Sequence, residues 1–381
     1  MTKKSLLKTI IFLLPTQLGL HFWPSFSRVA GIKIDYLSPT LYLVDLLILL
    51  YILFSVKKVF YHIKKQYKIY LVIFSLALLN TVFSISPANT FFWYLHLLVY
   101  LLFFLSIRQN KAKWKEIQKP LLLSTVLIVS IELFQLLRQS SLGGLLYYLG
   151  ERSYSPTTQG LARLNFFGRE ILRPPSTFSH PNSLAGYLLI VFYLFSRKSK
   201  NHWQKTIPFV GIILTFSKTA IVSLSFLIFG LNSGNVILLS LFITTLLPIV
   251  SKYIHSSWQP LSDRLFHIPY THKILLANPF TGVGYGNFIP SLGSFLPGSF
   301  LTPSKLQPIH NLPYLYATET GLLGLASLVL ILLSKKIKRL LSKKGILDLL
   351  AIVIFTGTFD HYTWTLPQNK LILVVALAIM I

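Results

Sequence analysis

The sequence predicts an all-α membrane protein: a polytopic helical bundle of about twelve transmembrane helices, forming one integral domain over residues 1–381. Three observations carry this expectation. Hydrophobic residues make up 53% of the chain, charged residues only 12%, and the mean hydropathy is +0.62, which excludes an ordinary soluble domain. Apolar runs of membrane-spanning length recur from end to end. The most basic stretches fall between those runs, which places the +26 net charge in loops. Cysteine is absent, so disulfides and thiolate metal sites are excluded and compartment cannot be read from redox chemistry.

Taken in order, the chain opens with Lys3, Lys4 and Lys8 before an apolar run. No small-residue cleavage site precedes Pro24, so a retained first helix is expected over 5–23. Further spans are expected over 37–56, 69–85, 91–107 and 120–137. A long polar segment follows over 138–180, then a sixth span over 182–196 and the basic run RKSKNHWQK. Later spans are expected over 236–250, 311–333, 345–359 and 367–381. The stretch TIPFVGIILTFSKTAIVSLSFLIFG, 206–230, reads either as one long helix or as two short ones broken at Ser217 and Lys218. Charge decides between them. One span would put the loop KKIKRLLSKK, with six basic residues, on the outside. Two short spans put it inside, together with three basic residues before Ile10, five in 57–68, five in 108–119 and four in 197–205. Both termini are then cytoplasmic and Lys218 reaches the outer half of the membrane. Half-length helices there must be buried in protein or line a cavity.

That topology leaves two long extracytoplasmic segments, 138–180 and 252–310, where function is expected. They hold few acids but a set of fixed cations: Arg138, Arg152, Arg163, Arg169, Arg173 and Arg264. Every basic residue in the first segment is arginine, whose planar fork grips phosphate oxygens in pairs, so an anionic ligand is implied. The competing account pairs these arginines with lipid head groups or with Glu151 and Glu170. RPPSTFSHPNSLAGYLLI, 173–190, is a proline-stiffened entry into the sixth span, and Pro181 and Asn182 suit a helix start. In SDRLFHIPYTHKILLANPFTGVGYGNF, 262–288, Gly282, Gly284 and Gly286 lack the flanking strand and helix of a dinucleotide fingerprint and read as a tight re-entrant turn. In PIHNLPYLYATETGLLGLASLVLILL, 308–333, Asn311 caps a helix that starts beside His310. Gly321 and Gly324 offer a small face to a neighbouring helix. A histidine at such a boundary exchanges protons near neutral pH, or else it only caps and anchors.

Five blocks in this order and spacing resemble the O-antigen ligase and O-antigen polymerase family: RPPSTFSHPNSLAGY, LTFSKTAIVSL, DRLFHIPYTHKILLANPFTGVGYGNF, PIHNLPYLYATETGLLGL and TFDHYTWTLPQ. The resemblance covers most of the chain after about Leu161, with its core over 161–333. It implies a GT-C-like helical fold and a metal-independent glycosyltransferase in the cytoplasmic (inner) membrane with its active site facing outside. The implied partners are an undecaprenyl diphosphate-linked glycan donor, a glycan or lipid acceptor and membrane lipids, with no nucleic acid and no cofactor. Two positions depart from the family pattern. Lys218 stands where arginine is frequent, keeping the charge but losing the fork, and Asn369 replaces a glycine.

The expected mechanism follows from charge. A sugar leaving as a lipid diphosphate develops negative charge on the departing oxygen, and preorganised cations there lower the barrier. Arg173 and Arg264 are the first choices for that grip and Lys218 the third. With ten acids in the chain, fixed cations are expected to take the place of a metal. His310 would act as general base on the acceptor hydroxyl or orient it, with inversion at the anomeric carbon. Glu319 and Asp360 would orient His310 or serve as base themselves, with His361 a weaker candidate. The alternative is a polysaccharide or lipid-linked glycan transporter or flippase without glycosyl transfer. Transporters usually show two related halves, and no internal repeat is evident here.

Overall fold

The computed structural model describes residues 2–253 and 259–381, so part of the 252–310 segment lies outside the described residues. The chain begins with α1 (Lys3–Leu13). Short strands β1 (Gly19–His21), β2 (Arg28–Val29), β3 (Ile32–Lys33) and β4 (Thr40–Tyr42) come next, β1 pairing antiparallel with β4 and β2 with β3. Helices α2 (Leu43–Leu53), α3 (Val56–Lys65), α4 (Tyr67–Val82), α5 (Pro87–Gln109) and α6 (Trp114–Arg138) lead to a hairpin of β5 (Arg163–Phe166) and β6 (Arg169–Leu172). Beyond it lie α7 (Pro181–Lys198), α8 (Trp203–Leu214), α9 (Lys218–Phe229), α10 (Ser233–Tyr253), α11 (Gln259–Phe266), α12 (Ile268–Ala277) and α13 (Phe288–Phe295). The chain closes with α14 (Leu312–Leu333), α15 (Lys335–Leu341), α16 (Lys344–Phe359), α17 (Tyr362–Thr365) and α18 (Pro367–Met380).

The core sits around α7, whose run LAGYLLIVFYLF is apolar on every side and is therefore enclosed rather than half-exposed. It is surrounded by α6, α8, α9, α16 and α18. Large apolar side chains that remain exposed on α4, α10 and the second half of α14, such as Phe74, Phe242 and Leu330, suit a lipid surround. Among the described residues, four helices are long and apolar enough to cross a membrane: α5, α6, α10 and α14. The expected count of about twelve is not reached. Several expected spans form shorter helices: α1 and α2 have 11 residues each, and α8 and α9 have 12 each. At 1.5 Å rise per residue, 12 residues reach about 18 Å, short of a hydrocarbon core of about 30 Å.

The first expected span, 5–23, ends at Leu13 because Pro15 cannot continue the helix and Gly19–His21 is recruited as a strand. The break expected at Ser217 and Lys218 is present. Phe216 turns the chain with φ 51°, and α8 and α9 are separate short helices.

The helix ends are sorted by charge. At one end Lys3 bonds Asn110, Lys4 pairs with Glu116 at 3.0 Å, Arg197 pairs with Asp348, and the Lys343 ammonium reaches the Ile381 carbonyl at 3.5 Å. The opposite end holds the strand pairs, the 138–180 segment and the residues around His310. There Thr177 Oγ1 and Gln368 Nε2 both donate to the Pro15 carbonyl, tying the starts of α7 and α18 to the end of α1.

Candidate functional site

The site grows from the chain leading into α7. After the β5–β6 hairpin, the Arg173 amide donates to Ala162 O at 3.0 Å, so Arg173 still belongs to the hairpin, and Pro174 and Pro175 stiffen the path from there toward α7. The Arg173 guanidinium is held at two points. Nε donates to Thr215 O at 2.9 Å and Nη2 donates to Asn182 Oδ1 at 2.7 Å. The first acceptor lies where α8 stops and α9 has not begun, and the second is in the first turn of α7. The α8/α9 break thus supplies an otherwise unbonded carbonyl to a fixed cation.

Asn182 passes the contact on. Its Nδ2 donates to Asp360 Oδ2 at 3.0 Å, while Asp360 Oδ1 accepts the His361 amide at 2.8 Å and lies 3.6 Å from His310 Nδ1. Asp360 caps the C-terminus of α16. There, α17 packs against α7 over Gly186, where a Cβ would come within 2.2 Å of the Tyr362 ring. Arg264 on α11 reaches the same place, its Nε donating to Phe359 O at 3.3 Å. The imidazoles of His310 and His361 face each other with centroids 5.1 Å apart, and Tyr36 meets His361 edge-on at 5.6 Å. His361 Nδ1 shares a 2.8 Å hydrogen bond with Thr365 Oγ1.

Electrostatics follow from burial and from two neighbouring guanidiniums. Burial, and after it the charge of Arg264, bring Arg173 down to about 10 against the pull of Asp360. Burial also brings His180, the N-cap of α7, down to about 4, and His361 to about 3. Burial alone would raise the Asp360 carboxyl, but the facing imidazoles of His310, His361 and His180 outweigh it and hold the group well below the usual carboxylate range. His310 itself is 24% exposed at its side chain while its Nδ1 is buried. The ring therefore turns Nδ1 toward Asp360 and offers another edge to the surroundings. At 3.6 Å the contact is longer than a hydrogen bond, a spacing that tightens in many sites when a substrate arrives.

Of the residues singled out from sequence, the fold brings Arg173, Arg264, His310, Asp360 and His361 together. Lys218 is close along the chain: it heads α9 three residues beyond Thr215, with an exposed side chain. Glu319 is not with them. It lies about two helical turns, roughly 12 Å, down α14 from Asn311, accepts from Trp364 Nε1 at 2.8 Å and faces the backbone amides of Gly286 and Phe288. Several other arginines are absorbed by structure. Arg163 pairs with Glu170 at 2.6 Å, Arg152 lies 3.7 Å from Asp35, and Arg138 donates to Leu142 O at 3.4 Å.

Glu319 belongs to a feature that corrects the expected packing of α14. Gly321, at φ 62° and ψ −163°, interrupts the helix instead of lining a flat face. The turn of Pro279 to Gly286 enters the gap: Val283 and Gly284 amides donate to Thr318 and Glu319 carbonyls at 3.0 Å each. Pro279 and Phe280 carbonyls accept from Leu322 and Leu323 at 2.8 and 2.9 Å. The glycine turn read from sequence is present, with Gly282, Gly284 and Gly286 all at positive φ, and its insertion satisfies the backbone groups that the break exposes.

Sequence reasoning missed Asn182 as a connector, reading it only as a helix start, and missed His180 and Tyr36. The His-Pro-Asn order at 180–182, directly after a doubly anchored arginine, was the available signal. No metal was expected, yet His310, Asp360 and His361 each offer a donor atom, all within 4.8 Å of one another. That donor set suits zinc in type. The adjoining charges of Arg173 and Arg264 oppose a cation there. No protein-family model matches the chain, and no curated protein matches it.

Proposed function

We propose that the protein is a membrane glycosyltransferase that moves a glycan from an undecaprenyl diphosphate carrier to an acceptor hydroxyl without a metal, at the outer face of the cytoplasmic membrane. The observation that carries this reading is the chain of contacts from Arg173 through Asn182 to Asp360 and His310. It couples a buried cation to a carboxylate and a partly exposed imidazole. In this reading Arg173 and Arg264 hold the diphosphate and meet the charge that develops as it leaves, with Lys218 contributing from the head of α9. Asp360 orients His310 with a proton on Nδ1, which leaves Nε2 to take the acceptor proton. Attack from the face opposite the diphosphate inverts the anomeric centre. The starts of α7, α9 and α14 lie at this end, and the positive ends of their dipoles favour an anion in the same sense. The sorting of basic segments to the opposite end supports cytoplasmic termini and an outward-facing site.

The test uses purified full-length protein in nanodiscs with undecaprenyl diphosphate as probe. Wild type should bind it, and Arg173→Ala and Arg264→Ala should each lose at least tenfold in affinity while keeping a cooperative thermal transition. Equal binding by wild type and both variants would remove the diphosphate grip, and with it this reading of the site.

A further inference from the structure

A cavity of about 430 Å³ opens at the basic end of the bundle between α7, α9, α10 and α16. It is separate from the Asp360 site: its lining on α16 ends at Phe355, about 8 Å along the helix before Asp360, and it shares no residue with that site. Its lining is mixed. It holds the basic residues Arg197, Lys205 and Lys344 and the apolar residues Phe226, Leu227 and Ile352. Asp348 is the acid in the lining, and it is already occupied: Arg197 pairs with it, and the hydroxyls of Tyr193 and Ser233 both donate to it. Lys205 and Lys344 have no acidic partner among the described residues, which leaves the lining with net positive charge beside apolar side chains. Ile228 and Leu231 line the same cavity and are exposed, so the apolar lining continues outward at its mouth.

We propose that this cavity binds an anionic phospholipid, its phosphate against Lys205 and Lys344 and the start of an acyl chain along Phe226, Leu227 and Ile352. The volume falls within the range of about 300–1,000 Å³ usual for small-molecule sites and admits a head group with the first carbons of a chain, not a whole lipid. The rest of the chain leaves past Ile228 and Leu231 into the bilayer. Charge complementarity selects the head group, and the adjoining apolar side chains select a lipid over a free anion.

Full-length protein is placed in phosphatidylcholine nanodiscs doped with dioleoylphosphatidylglycerol, and retained phosphatidylglycerol is counted by native mass spectrometry. Wild type should keep one bound molecule that Lys205→Gln/Lys344→Gln loses, with occupancy half-point raised roughly thirtyfold at about 1 kcal/mol per removed charge. Lys57→Gln/Lys58→Gln on α3 removes the same charge from an exposed surface and should leave the bound lipid in place. Leu227→Trp keeps every charge but narrows the apolar lining, and it too should lose the lipid. Equal loss from the α3 variant would reduce the effect to general surface attraction and overturn the proposal. So would complete displacement by inorganic phosphate with Leu227→Trp unaffected, which would make the cavity a plain anion site.

Discussion

Two buried carboxylates, Asp360 and Glu319, lie at the same end of the bundle and differ in the company they keep. Asp360 is met by imidazoles and, through Asn182, by a cation: His310, His361 and Arg173. Glu319 is met at hydrogen-bond distance by fixed donors, the Trp364 indole and the amides of a glycine turn, with the charge of Lys370 acting on it through space, and its backbone completes the mended break in α14. An acid surrounded by exchangeable protons and cations can take part in a reaction. An acid clamped by fixed donors holds a shape. The difference teaches that burial alone does not mark a candidate reacting carboxylate; the specific partners it meets must be weighed with it.

The largest effect that separates the two is expected at His310, the exposed edge of the Asp360 group. His310→Ala should lower turnover roughly a hundredfold to ten-thousandfold while binding of undecaprenyl diphosphate persists. Near-normal glycan transfer by the folded variant would take His310 out of the chemistry and return the base role to Asp360.

Next in size is Arg173→Lys. Lysine keeps a charge but cannot reach Thr215 O and Asn182 Oδ1 together from a planar fork, so donor affinity should fall by about tenfold or more, one charged hydrogen bond being worth about 1.5–3 kcal/mol. Full affinity in the lysine variant would show that the fork is not used.

Glu319→Gln should reverse the pattern. One of its carboxylate oxygens becomes a donor facing Trp364 or the turn amides, so the thermal midpoint should drop while turnover per folded molecule stays within about twofold, the destabilisation being about 1–3 kcal/mol. An unchanged midpoint with collapsed turnover would move Glu319 into the reaction and dissolve the contrast.

A smaller effect is expected from pH. His180 and His361, lowered to about 4 and about 3 mainly by burial, stay neutral in the fold. In the unfolded chain each protonates near pH 6.5, at about its unperturbed value. The unfolded state therefore binds more protons between those values, and stability is lost as pH falls from 6.5 toward 4, by up to about 1.4 kcal/mol per pH unit for each histidine. Asp360, held well below its ordinary value, adds to the loss only below about pH 4. Thermal midpoints should slope downward across this window in wild type and flatten in His180→Gln. Identical slopes would place the titration elsewhere. Chelation is the mildest probe: turnover should be unchanged in EDTA, whereas loss in EDTA and recovery with zinc would assign His310, Asp360 and His361 to a metal.

Much of the helical layout was legible because hydropathy and punctuation act locally. The run 91–107 lies within α5, 120–137 within α6, and Pro181 marks the start of α7 at N1. The α8/α9 break was legible from loop charge alone. The shortness of α1 was not, since the apolar stretch after Pro15 reads as membrane-spanning until its strand partner at 40–42 is known. Gly321 misled for a similar reason. A small residue in a helix invites close packing, and only the arrival of the 279–286 turn decides whether a helix or an inserted backbone makes the approach.

By itself the sequence determined that the chain is apolar, helical and basic at alternating loops, because composition and charge belong to residues whatever their surroundings. Tertiary structure alone decided that Asn182 joins Arg173 to Asp360, that Asp360 and not Glu319 faces His310, and that Lys205 and Lys344 line one cavity. These pairings span up to 178 positions of chain. Nothing in a local pattern encodes a hydrogen bond between helix ends so far apart in sequence; it exists only once packing around α7 has brought those ends to one place.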